Sequence, residues 1–414
     1  MPTLLQINVT ANSGSTGKIA EQINQVAQSQ GWKTYLAYGR NMQPCKSELV
    51  HVGNRLQVYE HYAEHRLFDN DGLASRIATH QMIRKIMEIK PNVIHLHNIH
   101  DHWLNYRILF KYLNTLDTPV VWTQHDCWAF TGGCSHFTRR GCYHWREDGC
   151  SNRSCPMKQS MKMRKMFEKT TRHYRLKHDL FTATNKMVLV PVSQWLEDLE
   201  RQSFLQCHRI ITIHNGIDTS VFQPTDSVEV RQKYGIGEQQ YVVGVSSVWL
   251  PYKGWNDFLR LQNMLPQKVK LVLVGLKQEQ IEEAKRNGII GILRTENVKE
   301  LAVLYSGAMM FCNLTYEDNY PTTNLEAMAC STPVLTYRTG GSPEAVTPDT
   351  GWVIEQGDLA AVAKTIEDWS KKIEAEPTLE MKMRQHCRER AEKEFKKEDR
   401  FNEYMELYNE LIKK

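Results

Sequence analysis

The sequence predicts an α/β protein made of two successive parallel sheets. Two observations carry this. Short β-branched runs of about four to six residues recur along the 414-residue chain with helical patterns between them, and the series halts at a turn-rich stretch and then restarts. A strand covered by helices on both faces reads as such a run, and repeated β-α order gives layered α/β folds.

In the first half, "TLLQINV", "KTYLAYG", "NVIHLH" and "PVVWTQHD" read as strands, and "KMVLVPVS" and "RIITIHNGID" close the series. In the second half, "YVVGVSSVW", "KVKLVLVGL", "GIIGIL", "MMFCNLT" and "TPVLTY" do the same. "GKIAEQINQVAQSQG" and "NLEAMAC" read as helices between strands. The interruption is "HNGIDTSVFQPTDS", with Gly216 and Pro224 as turn signals. The expected domains are therefore 1–217 and 218–395, the second sheet spanning about 240–355. The charged, helical end of the chain, 396–414, is expected to pack back toward the first domain. Two such domains facing a central cleft bind ligands at the carboxyl ends of their strands.

Composition narrows the function classes. Hydrophobic residues make up 41% and charged residues 24%, the balance of a soluble globular protein. No run approaches the ~18–20 apolar residues of a membrane span. "MPTLLQINVTANSG" has no basic leader and reads as a first strand, so the expected location is the cytoplasm. The net charge of +5 does not indicate nucleic acid, and no recognition module is visible.

The most informative stretch is "TYEDNYPTTNLEAMAC", 315–330. It joins a strand to a helix, so its loop lies at the carboxyl edge of a parallel sheet. The helix is expected to start near Thr322 to Asn324, after Pro321. Its first N–H groups and its dipole suit an anion, and Thr322 and Thr323 add hydroxyl donors, which together make a diphosphate seat. Glu326, expected in the first helical turn, can accept both hydrogen bonds of a ribose diol. Asp318 lies on the other side of the seat, where a hexose would project. Taken alone, the same residues fit a carboxylate that only complements the helix dipole and loop acids that are solvated.

The longer stretch "YEDNYPTTNLEAMACSTPVLTYRTGGSPEAV" resembles the donor-site signature of the retaining glycosyltransferases of family 4, which have the GT-B fold. That signature is an acid, seven residues and a Glu, followed by a small-residue helix, a "TPV" strand and a "GG-x-PE" turn. Eight residues before Glu326 is Asp318, one methylene shorter than the usual Glu, with Glu317 beside it. The resemblance extends over nearly the whole chain. "HNGIDTSVF" is similar to the family's hinge. "VSSVWLPYKGWNDF" is similar to the stretch whose basic residue, here Lys253, reaches the donor phosphates, while Val248 stands where most relatives have Arg. Trp249 follows, as in the subset that makes bacterial capsule and exopolysaccharide. Arg338 or helix N-termini are expected to compensate for the missing guanidinium.

"NSGSTGKIAEQI" has Asn12 and Ile19 where a Walker A loop needs Gly and Ser or Thr, so a nucleotide-hydrolysing loop is weakly supported. By resemblance, Gly14 and Gly17 let the backbone approach the diphosphate and the acceptor. An ordinary strand-to-helix turn fits as well. The resemblance also places His125, in "WTQHDCWAF", near the reacting sugar. Glu317, Asn319, Tyr320, Thr322, Thr323, Asn324 and Arg294 are implied donor contacts, with the base near "GILRTEN". His97, Asn98 and His100, in "IHLHNIHDHWLNY", are implied acceptor contacts. Strand alternation sends His95 and His97 to one face.

Five of the ten cysteines crowd between 127 and 155, in a Gly-rich insertion. No pair has zinc-knuckle spacing. A four-thiolate zinc from Cys134, Cys142, Cys150 and Cys155, free thiols, and a disulfide all remain open. The next stretch, 158–177, holds eight Lys or Arg against one acid. Met157, Met161, Met166 and Phe167 interleave with those charges, which fits either a solvated helix or one lying on an anionic inner-leaflet surface.

The sequence thus points to a GT-B enzyme moving a sugar from a nucleotide diphosphate sugar to a saccharide or lipid-diphosphate-linked acceptor, with retention and with no metal required for the chemistry. The rivals are a nucleotide-sugar epimerase or phosphorylase of the same architecture, and a catalytically silent saccharide-binding protein.

Overall fold

The computed structural model describes residues 1–151, 155–156 and 169–413. They form two compact units: Met1–His214 with Arg400–Lys414, and Asn215–Asp399. The chain passes between units three or four residues away from the boundaries drawn at 217/218 and 395/396.

Unit 1 is a seven-stranded parallel sheet. Its strands are β1 (Thr3–Ile7), β2 (Lys33–Tyr38), β3 (Glu48–His51), β4 (Val93–Leu96), β5 (Val120–Gln124), β6 (Met187–Pro191) and β7 (Arg209–Ile210). Their order is β3-β2-β1-β4-β5-β6-β7. Every residue of β4, β5 and β6 is buried, as expected of central strands covered on both faces.

Unit 2 repeats the plan with β8 (Gln240–Val245), β9 (Val269–Val274), β10 (Ile290–Ile292), β11 (Met310–Asn313), β12 (Val334–Tyr337) and β13 (Gly351–Ile354). The order is β10-β9-β8-β11-β12-β13. The order of connection therefore reverses between β1 and β4 in unit 1, and between β8 and β11 in unit 2. Those switch points open crevices at the carboxyl ends of the strands, where open α/β sheets bind ligands.

The sequence did not reveal β3 and β13. Both are edge strands, and β3 has no fully buried residue, so the continuous apolar run that marks a central strand is missing. The charged terminal pattern also proves to be two helices, Pro377–Glu394 and Lys397–Lys413. They break where Ile217 N–H donates to the Phe395 carbonyl (2.8 Å) and Lys397 N–H to that of Ile217 (2.9 Å). Phe401, Tyr404, Met405 and Tyr408 of the last helix recur at three- and four-residue spacing. They are buried in unit 1 against Leu4, Ile23, Trp32 and Val93.

Residues 157–168 of the basic stretch, with Met157, Met161, Met166 and Phe167, lie outside the described residues. No helix among the described residues is long and apolar enough to cross a membrane.

Candidate functional site

The unit 2 crevice is assembled from two loops, those after β8 and β11. After β8 the chain makes a short turn, Pro251–Lys253, and enters the helix Trp255–Gln262 through Gly254. Gly254 has φ +81°, and a Cβ there would sit 2.4 Å from the Leu314 carbonyl oxygen. Only glycine lets this turn press onto the end of β11. Tyr316 N–H then donates to the Tyr252 carbonyl (2.8 Å), tying the two loops together.

This brings Lys253 Nζ to Asp318 Oδ2 (2.7 Å) and to the Glu317 carbonyl (2.9 Å). Two of the three ammonium donors are used, and one remains for an incoming oxygen. Both side chains of the ion pair are about a quarter exposed, 26% and 25%. A pair this wet is worth at most about 1 kcal/mol, so a phosphate can share the lysine at little cost.

The structure separates the two adjacent acids. Asp318 is half-buried and faces Lys253, whereas Glu317 is only 5% exposed. Asp318 is therefore the acid presented in the crevice.

The helix Thr322–Ala329 starts at Thr322, with Pro321 in the capping position and no side-chain cap. Its first amides are left for an anion, and Thr322 and Thr323 are half-buried beside them. Glu326 is the fifth helical residue, so it lies in the second turn and not in the first. It is too far along to serve as a dipole-complementing first-turn acid. The Tyr305 hydroxyl donates to Glu326 Oε2 (3.2 Å) and holds the carboxylate in place.

Other donor assignments change. Asn324 is fully buried and spends its side chain internally: Nδ2 donates to Ser342, and Oδ1 accepts from Asn313 (2.9 Å). It braces the helix start and is not presented to a ligand. Asn319 and Tyr320 are also buried; their carbonyls accept from Gly341 N–H (2.7 Å) and Asn215 Nδ2 (3.3 Å). Arg294 is exposed in the loop after β10. Arg338 pairs with Glu355 (2.6 Å) on the surface and does not replace the missing guanidinium. Trp249 is a core residue whose indole N–H donates to the Val274 carbonyl (2.9 Å), while Val248 is exposed.

The unit 1 crevice holds a chain of neutral side chains. The amide nitrogen of Gln6 donates to the Ala20 carbonyl (2.6 Å) and Asn24 Oδ1 (2.7 Å), which leaves Gln6 Oε1 as an acceptor. His97 Nε2 lies 2.6 Å from that oxygen and must carry the proton. His97 Nδ1 is then an acceptor, and His125 Nε2, 3.1 Å away, donates to it. His125 is thereby fixed as the tautomer whose Nδ1 bears a lone pair. Burial pushes its pKa down to about 4, and burial holds His95 and His97 well below the usual imidazole value.

His97, 1% exposed with both nitrogens occupied, orients His125 and does not face an acceptor. Its ring lies 4.1 Å from that of His95 on the same side of the strand. His95 is locked between Thr123 (2.7 Å) and Tyr408 (2.6 Å).

Asn98 is half-buried, and its backbone is engaged by Asn8 and Val9. His100 Nε2 bonds Asp126 Oδ2 (3.0 Å). Burial works against the charged form of Asp126, but His100 and the Trp128 amide outweigh it and hold the carboxyl at about 2.

Of the two glycines, Gly14 is open on its Cα side with φ +67°. A Cβ on Gly17 would meet Thr10 Oγ1 at 2.6 Å. Gly17 is therefore needed for packing inside its own loop. Gln6 and Tyr305 carry no motif that marks them, because each acts through a partner distant in the chain.

Two doubly wound parallel sheets with a charged seat at the second switch point define the GT-B class. Solved structures agree: a sucrose-phosphate synthase from Thermosynechococcus elongatus superposes with TM-score 0.72 at 16% identity, covering 99% of each chain. Anabaena Alr3699/HepE in complex with UDP-glucose does so with TM-score 0.64 at 15% identity and the same coverage. At these identities the likeness is one of fold.

Residues 226–394 match the glycosyl transferases group 1, and residues 25–221 match glycosyltransferase family 4. The chain belongs to family 4 of the glycosyltransferases. The N-acetyl-alpha-D-glucosaminyl L-malate synthase of Bacillus anthracis is 27% identical over 49% of this chain and 54% of its own length. The capsular polysaccharide biosynthesis glycosyltransferase CapM of Staphylococcus aureus is 24% identical over 56% and 63%. The matched region spans about half to two thirds of these relatives.

Proposed function

We propose that this chain transfers a sugar from a nucleoside diphosphate sugar to a saccharide or lipid-linked saccharide acceptor, with retention, in the synthesis of a cell-surface polysaccharide. The observation that carries the reading is the convergence of Lys253, Asp318, Glu326 and an uncapped helix start on the unit 2 switch point. The named activity of CapM supports the polysaccharide class, and the UDP-glucose bound by HepE supports the donor class.

The diphosphate sits on the amides of Thr322 and Thr323 and on the third N–H of Lys253. Glu326 accepts from the ribose diol, and Asp318 from sugar hydroxyls. The acceptor oxygen bonds to the anomeric carbon on the face from which the phosphate departs. The C1–O(phosphate) bond breaks, and the phosphate oxygen takes the acceptor proton. The protein supplies position and charge, with His125 Nδ1 accepting from a sugar or acceptor hydroxyl. No step requires a divalent metal. A peripheral association with an anionic membrane surface fits a lipid-linked acceptor.

The test is transfer from a panel of UDP-, GDP- and ADP-sugars to saccharide acceptors, with the anomeric configuration of the product read by NMR. Retained configuration supports the reading. Interconversion of the donor sugar without an acceptor, or release of a sugar phosphate, assigns the chain to the epimerase or phosphorylase class. Binding without turnover for every acceptor assigns it to a silent binder.

A further inference from the structure

The segment after His125 is built with little regular structure. Among the described residues, 127–151 contain only short helical turns, Trp128–Phe130, Thr138–Arg140 and His144–Glu147. Small regions of this kind are commonly held by a disulfide or a metal. Cys134, Cys142, Cys150 and Cys155 all line one cavity of about 20 Å³, walled by Phe137 and Trp145. That volume accepts one ion or one water and no larger ligand.

The backbone is arranged around these sulfurs. Cys134, Cys142 and Cys150 recur at intervals of eight residues, and each follows a glycine. Those glycines, Gly133, Gly141 and Gly149, have φ of +130°, +57° and +65°, in a region that side chains disfavour. The turns aim amides at sulfur: His144 N–H points to the thiol of Cys142, and Gly132 N–H to that of Cys150. Burial raises both thiols above the usual cysteine value, and these amides act against that rise. Cys134 and Cys155 lie within hydrogen-bonding reach of each other. Burial pushes the nearby Lys177 amine down to about 7, and its Nζ donates to the Trp128 carbonyl (2.6 Å) and the Thr131 carbonyl (3.3 Å).

We propose that Cys134, Cys142, Cys150 and Cys155 bind one structural zinc ion as four thiolates. The four sulfurs do not all lie within 4.8 Å of one another, whereas Zn–S bonds of about 2.3 Å need them closer, so binding requires them to move inward. Four thiol protons go to solvent, four Zn–S bonds form, and no redox change occurs. With every position filled by protein, the ion fixes the loop behind His125 and Asp126 and takes no part in sugar transfer. Among the described residues, a different group already has ligand atoms within 4.8 Å of one another, His65, Asp71 and His102. The experiment must tell the two apart.

The full chain, produced without a metal-binding tag, is analysed for metal by mass spectrometry and reconstituted with Co²⁺ for absorption spectroscopy. The expected result is one zinc per chain and the intense sulfur-to-cobalt charge-transfer bands of a four-thiolate site. Zinc is expected to fall to background in Cys142→Ser and Cys150→Ser, and to stay at one per chain in the surface control Cys207→Ser and in His102→Ala. Should the cysteine variants misfold, the cobalt spectrum of the unmodified chain still decides. Metal-free protein that takes up no zinc, a disulfide among these cysteines, cobalt bands without sulfur character, or zinc lost only in His102→Ala would each overturn the proposal.

Discussion

The crevice between β1 and β4 and the crevice between β8 and β11 arise from the same strand arrangement, yet they are filled with opposite chemistry. In unit 1 the crevice holds a relay of uncharged groups, Gln6, His97 and His125, which burial keeps neutral. In unit 2 it holds an ion pair, a carboxylate and an uncapped helix start. The first suits hydroxyl groups that need orienting, and the second suits a diphosphate that needs its charge balanced. Topology fixes where a ligand sits; the side chains at the strand ends fix which ligand it is.

The strongest way to break this contrast is Glu326→Ala. It removes the proposed anchor for the ribose and leaves the buried Tyr305 hydroxyl without its acceptor. Transfer is expected to fall about 10²–10³-fold, the scale of losing one preorganised polar contact, measured as kcat/KM. Lys253→Ala comes next, with an expected loss of about 10²-fold, because Asp318 then loses its counter-charge beside the proposed diphosphate seat. Lys253→Arg should recover part of it.

His97→Ala sharpens the other side of the comparison. It should lower kcat more than it raises KM and should cost about 1–3 kcal/mol of stability, since Gln6 is left unsatisfied. Both effects can be read from steady-state kinetics and denaturant melts.

The neutral relay also predicts a pH effect. The imidazoles of His95, His97 and His125 are depressed by burial, His125 to about 4, while an unfolded histidine titrates near ~6.5. Above that pH both states are neutral and stability is complete. Between the two values the unfolded chain binds more protons, so stability falls on acidification, by up to about 1.4 kcal/mol per pH unit for each imidazole. Melts at pH 7 and pH 5 measure it. The smallest effect is expected for Gly14→Ala, about 1 kcal/mol from its left-handed backbone alone, with open space around the new methyl. Gly17→Ala should cost more because of Thr10.

The central strands of both sheets were legible because burial on two faces leaves a continuous apolar run. The edge strands β3 and β13 were not, since one-sided packing leaves no such run. At the site, Lys253, Asp318 and Glu326 were marked by motif spacing, and the structure brings Lys253 to Asp318. The false leads share one cause. Asn324 and His97 sit in the right segments but point inward, and spacing along a chain does not tell a side chain that faces a ligand from one that braces it. Tyr305 and Gln6 were invisible for the converse reason, because their partners lie 21 and 91 residues away.

The central claim is that the second unit's switch point binds the nucleotide diphosphate. Its most direct test is thermal unfolding of the full chain with UDP-, GDP- and ADP-sugars, beside the Glu326→Ala and His125→Ala variants. A ligand that binds only the folded state stabilises it by ~2.7 kcal/mol at a hundredfold excess over Kd. The account predicts that one nucleotide class raises the melting temperature, that Glu326→Ala abolishes the rise, and that His125→Ala keeps most of it. A rise that survives Glu326→Ala and disappears with His125→Ala would contradict the account, as would no rise with any nucleotide.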